Sequence, residues 1–97
     1  MAQVIYSDEA FTDVERIIEF LLKTSPEAAA QALESIGSAI GILEAHPFIG
    51  RRVDDHIREL VISRGATGYL ALYRFDSAFD VGRILRVRHH RESGYLE

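Results

Sequence analysis

Cysteine is absent from this 97-residue chain, and lysine occurs once, at Lys23. Without cysteine there is no disulfide framework and no thiolate metal site, and the chain suits a reducing compartment. No apolar run approaches the roughly 18 to 20 residues that span a bilayer. The N-terminus lacks the basic start and apolar stretch of a secretory signal, so a cytoplasmic protein with no membrane role is the expectation. A glycine-rich phosphate loop, a nucleophile elbow and a zinc knuckle are also missing. The four histidines do not form a metal site. His89 and His90 are adjacent, which on a strand sends them to opposite faces, and His46 and His56 are ten apart. No cofactor is expected.

Enough apolar chain is present for one core. Aliphatic and aromatic residues make up 47% of the sequence, which excludes a disordered chain, and the length fits a single domain over 1–97. The formal charge of −4 is unevenly spread. Residues 1–50 carry Arg16 and Lys23 against eight acids, whereas residues 51–97 carry nine arginines against seven acids. That asymmetry points to a local anion-facing surface rather than to general polyanion binding.

Hydrophobic periodicity divides the chain in two. Gln3 to Tyr6 reads as a short strand. Ser7 then caps a helix over 8–23, with Asp8 and Glu9 at its positive end and Phe11, Val14, Ile18 and Leu21 at helical spacing. Ser25-Pro26-Glu27 restarts the helix, and Ala29, Leu33, Ile36, Ile40 and Leu43 carry it to about residue 45, where His46 is pushed out by Pro47. So short a turn makes the two helices an antiparallel hairpin. Gly37 and Gly41 interrupt the second helix, marking either close approach of another backbone or a locally weak helix. Residues 46–56 read as a linker. Three β-type runs follow, over 57–63, 69–75 and 83–89, separated by turn-prone segments, which implies an antiparallel meander. The expected class is α+β in the order β-α-α-β-β-β, with the hairpin on one face of a twisted antiparallel sheet.

The last strand is the densest in chemistry. Arg83 to Arg91 holds four arginines and two histidines in nine residues. Strict alternation puts Ile84, Arg86 and Arg88 on one face and Leu85, Val87 and His89 on the other. Arginine beside histidine suits phosphate binding with acid–base chemistry, as in a nuclease, and equally suits an interface with an acidic partner. A plainer alternative pairs Arg86 with an acid on the neighbouring strand, such as Glu59. Arg58, Arg64 and Arg74 lie on or beside the neighbouring strands and join the candidates. Tyr69 and Tyr73 read as core residues, and Tyr95 lies in the tail.

The ordered set of segments resembles the RelE/ParE superfamily, the toxin halves of bacterial type II toxin–antitoxin modules, often described as plasmid stabilisation proteins. The resemblance rests on His46-Pro47-Phe48-Ile49-Gly50-Arg51 after the hairpin, Ile57-Arg58-Glu59-Leu60, Gly68-Tyr69-Leu70-Ala71-Leu72-Tyr73-Arg74, and Ile84-Leu85-Arg86-Val87-Arg88-His89 followed by Arg91-Glu92. It implies one of two activities. Nuclease members cut mRNA on the ribosome with basic residues on the sheet and a C-terminal tyrosine or histidine; here those positions would be Arg86, His89, Arg91 and Tyr95. ParE-like members poison DNA gyrase without that set. Nucleases carry an arginine directly after the Gly-Tyr pair, where this chain has Leu70, and they are strongly basic, as a ribosome ligand should be. The resemblance is therefore closer to the ParE branch. It implies a growth-inhibiting toxin that inhibits gyrase and forms a hetero-oligomer with a ParD-like antitoxin, without sequence-specific nucleic-acid binding of its own. Arg58, Arg64, Arg74, Arg86, Arg88, His89, His90 and Arg91 are the candidates for contacting target or antitoxin. The alternatives are the ribosome-dependent endonuclease and a non-toxic partner-binding module.

Overall fold

In a computed structural model, residues 1–62 and 68–89 are described. The chain starts in strand β1 (Gln3–Tyr6) and turns directly into helix α1 (Asp8–Leu22). The turn is made by Ser7, whose Oγ accepts the Ala10 N–H at 3.0 Å, satisfying one of the orphan donors of the first turn. Helix α2 (Pro26–Gly41) begins in the same way, with Ser25 accepting from Ala28 N–H and Pro26 supplying a fixed φ where its missing N–H costs nothing. It tightens into a 3-10 turn over Ile42–Glu44 before Pro47.

Four strands follow: β2 (Arg51–Arg52), β3 (Arg58–Val61), β4 (Tyr69–Asp76) and β5 (Val81–His89). They assemble with β1 into one sheet in the order β1-β5-β4-β3-β2. The helical hairpin on a sheet agrees with the sequence reading; the wholly antiparallel sheet does not. β1 runs parallel to β5, pairing Gln3 with Val81 through Tyr6 with Ile84. The hairpin carries the chain out and back, so the first strand enters the sheet in the same direction as the last. The expected linker also contains a strand, β2, because Arg51 and Arg52 pair with Glu59 and Arg58 across a turn held by the Asp54 carboxylate, which accepts the His56 and Ile57 N–H groups.

One face of the sheet is covered. Tyr69, Ala71 and Tyr73 of β4 and Ile84 and Val87 of β5 pack against Ala10 and Ile17 of α1 and Ala32, Ile36 and Ile40 of α2. Strict alternation along β5 is broken by a bulge: Leu72 is opposite Arg86, but Tyr73 is opposite Ile84, leaving Leu85 as an extra residue. The bulge resets the phase of the strand, so Ile84 and Val87, three apart, are both fully buried in the same core. The expected grouping of Ile84 with Arg86 and Arg88 on one face is corrected accordingly.

Gly37 and Gly41 approach no other backbone within the described residues; a Cβ at either position would meet open space. Gly50 is different. A Cβ there would lie 2.6 Å from Tyr73 Cε1 and 2.9 Å from the Glu59 carbonyl oxygen, so only glycine fits. This close approach lets the buried Tyr73 hydroxyl accept the Gly50 N–H at 2.9 Å and donate to the Pro47 carbonyl at 2.9 Å, fastening the loop after the helices to the middle of the sheet.

Candidate functional site

The parallel strand β1 is shorter than its partner. It leaves β5 at Ile84, and the exposed edge that continues beyond is taken over by side chains of the α1 segment. Ser7 N–H donates to the Ile84 carbonyl at 2.9 Å and Ser7 Oγ donates to the Leu85 carbonyl at 3.0 Å. In the second turn of the helix, Asp13 Oδ2 accepts the Val87 backbone N–H at 2.9 Å. A serine and an aspartate thus replace the strand that ended at Tyr6.

Asp13 is also where the arginines of β5 converge. It is 1% exposed although charged. Arg86 grips it with two hydrogen bonds, Nε to Oδ2 at 2.8 Å and a terminal nitrogen to Oδ1 at 3.1 Å. Arg88, itself 4% exposed, approaches Oδ1 at 3.5 Å, and Arg16 reaches it from the next turn of the helix at 3.3 Å. Burial pushes the Asp13 carboxyl up, but the Arg86 and Val87 hydrogen bonds and the charges of Arg86 and Arg88 outweigh it and hold the group below the usual aspartate range. The carboxylate stays ionised at neutral pH with both oxygens occupied, which suits a structural anchor and not a proton shuttle.

This corrects the plainer sequence reading of Arg86, whose acid is Asp13 on the helix; Glu59 bonds Arg51 instead, at 2.8 Å. Sequence reasoning passed over Asp13 altogether. The available signal was its position: it shares the buried face of α1 with Ala10 and Ile17, where an unpartnered acid is costly and so implies a cationic partner elsewhere in the chain.

The remaining candidates are separated. Arg58 is turned onto the loop, where one guanidinium nitrogen donates to the Phe48 carbonyl at 3.0 Å and the Gly50 carbonyl at 2.8 Å, with the cation 5.1 Å from the centre of the Phe48 ring. His89 stands edge-on to Tyr69 at 5.5 Å. Tyr69 and Tyr73 are buried as expected, and burial raises both phenols. Arg74 is exposed on the sheet face away from the helices and lies directly opposite Arg83, a residue the sequence reading had not selected. Arg64, His90, Arg91 and Tyr95 lie outside the described residues. Among the described residues no three histidine or acidic side chains converge as a metal site, and no helix is long and apolar enough to cross a membrane.

Comparison with known proteins supplies a family for this geometry. A family model described as ParE toxin of type II toxin–antitoxin system, parDE, matches residues 4–94. A curated relative, Toxin RelE3 of Caulobacter vibrioides, is 36% identical over 92 residues, covering 95% of this chain and 98% of the relative. Among solved structures, the chromosomal ParDE toxin–antitoxin system from P. aeruginosa superposes with a TM-score of 0.73 at 22% identity, covering 92% of this chain and 96% of that one. The RelBE2 toxin–antitoxin complex of Mycobacterium tuberculosis gives 0.61 at 26% identity over 92% and 98%. The intact E. coli RelBE complex gives 0.61 at 12% over 95% and 100%, a likeness of fold.

Proposed function

We propose that this chain, which belongs to the ParE toxin family of type II toxin–antitoxin systems, is a single-domain toxin that arrests growth in the cytoplasm by inhibiting DNA gyrase and is neutralised by a ParD-like antitoxin. The observation that carries the choice of target is the engagement of Arg86 and Arg88 by Asp13. A ribosome-dependent nuclease needs cations free to hold the scissile phosphate. Here the strand arginines would have to abandon a buried carboxylate to do so, which leaves an uncompensated charge in the core. Leu70, at the position where the resemblance leads one to expect a phosphate-binding arginine, is on β4 directly opposite Arg88 and offers no charge. The acidic whole, at −4, supports the same reading. An antitoxin partner is supported by the neighbours in solved structures, which are toxin–antitoxin systems.

A supercoiling assay with purified chain and gyrase is the test. Inhibition that disappears on adding antitoxin is the expected result, and unaffected gyrase at a large excess of the chain would sink the reading. The kinship with Toxin RelE3 favours a second reading, the ribosome-dependent endonuclease. It predicts cuts in translated mRNA on toeprinting that vanish in Tyr95→Phe and Arg91→Ala.

A further inference from the structure

Arg74 and Arg83 face each other across the β4–β5 ladder, and both are exposed. Among the described residues no acid lies within ion-pair distance of either, whereas Arg16, Arg51, Arg52, Arg86 and Arg88 each have a carboxylate partner. Like charges directly opposite on an antiparallel pair repel, and among the described residues nothing offsets that repulsion.

We infer that Arg74 and Arg83 together form a binding site for a carboxylate of the antitoxin, an inference that rests on the toxin reading above. The neighbours specify the partner. Ile5 lies beside Arg83 in the parallel register, and Leu72 precedes the pair on the same face of β4; both are half-buried. An acidic side chain flanked by apolar ones fits this surface: the carboxylate takes two forked donors while the apolar flanks cover Ile5 and Leu72. A nucleic-acid backbone fits it poorly. A polyanion track needs a row of cations, and the strand's next arginines, Arg86 and Arg88, are occupied by Asp13. Two isolated positive charges on an acidic protein select a local acid.

The experiment measures the affinity of the full chain for its cognate antitoxin by fluorescence anisotropy, with Arg74→Glu, Arg83→Glu and the double variant, and with Arg52→Glu as a charge control on an exposed arginine elsewhere. Each reversal at the pair is expected to weaken binding about tenfold and to flatten its salt dependence, with Arg52→Glu unchanged. Melting of the free chain separates this from damage to the fold. A single reversal puts a glutamate opposite an arginine, so the melting temperature should hold or rise while affinity falls. Wild-type affinity in the double variant overturns the inference and leaves the toxin reading standing. The same variants losing affinity for a short single-stranded RNA, with antitoxin binding intact, also overturn it and assign the pair to phosphate. A wild-type chain that binds no antitoxin defeats the toxin reading itself, and the inference with it.

Discussion

Two arginine clusters occupy the same strand of this molecule. At one end of β5, Arg86 and Arg88 converge on a buried carboxylate and are half or wholly removed from solvent; at the other, Arg83 stands in the open against Arg74, and no acid among the described residues reaches either. Sequence density treats the two ends alike. The difference comes from a single residue of helix α1, Asp13, which is 73 residues from Arg86 in the chain and binds both Arg86 and Arg88. An arginine is a candidate for recognition only after the acids brought near by the fold have been subtracted.

Removing the subtraction tests the contrast most severely. Asp13→Asn leaves three guanidiniums, those of Arg16, Arg86 and Arg88, around a neutral amide and should cost about 3 kcal/mol of stability, read as a fall in the urea midpoint. The wild-type chain should show the same interaction as a pH dependence. The folded-state pKa of Asp13 lies below its unfolded value of about 3.9, so the stabilisation is complete above that value and is lost as pH falls through the folded pKa. Urea midpoints should therefore be flat from neutrality down to about pH 5 and fall below it, and Asp13→Asn should remove Asp13's share of that fall. Arg58, a third tied arginine, loses two hydrogen bonds to carbonyls and its contact with Phe48 in Arg58→Ala, an expected cost of about 1.5 kcal/mol in thermal or urea unfolding. The open pair should respond least. Arg74→Ala is expected to change stability by no more than about 0.5 kcal/mol, in the stabilising direction because repulsion is relieved. A loss as large as that of Arg58→Ala would mean that Arg74 is tied as well and would erase the distinction.

Local physics made much of the fold readable from sequence. Ser7 and Ser25 cap where their side chains find free N–H groups, the apolar spacing of both helices marks their buried faces in part, although Phe11 and Leu33 of those stripes are exposed, and the alternation Tyr69, Ala71, Tyr73 shows which side of β4 meets them. What escaped was nonlocal. The parallel direction of β1 depends on how the hairpin returns the chain, and the bulge at Leu85 depends on fitting β5 against β4. Both change which residues share a face, and strict alternation alone groups Ile84 with the arginines. The site is limited for the same reason: Arg86, Arg88 and Arg74 are visible as candidates, but the position of Asp13 on the buried face of α1 does not name its partners, and nothing local pairs Arg83 with Arg74.

The pairing of β1 with β5 has a consequence for how the protein comes into being. Ser7 and Leu85, hydrogen-bonded in the finished sheet, are separated by 78 positions. The hairpin of α1 and α2 is built from near neighbours and can form as soon as it is made, whereas the first strand must wait for the last one before it has an edge to join. Until then Asp13 and the arginines of β5 also lack each other, and the hairpin's core face is uncovered. On the ribosome the sheet therefore remains incomplete until β5 emerges, and the surface shared by β4 and β5 exists only from that moment.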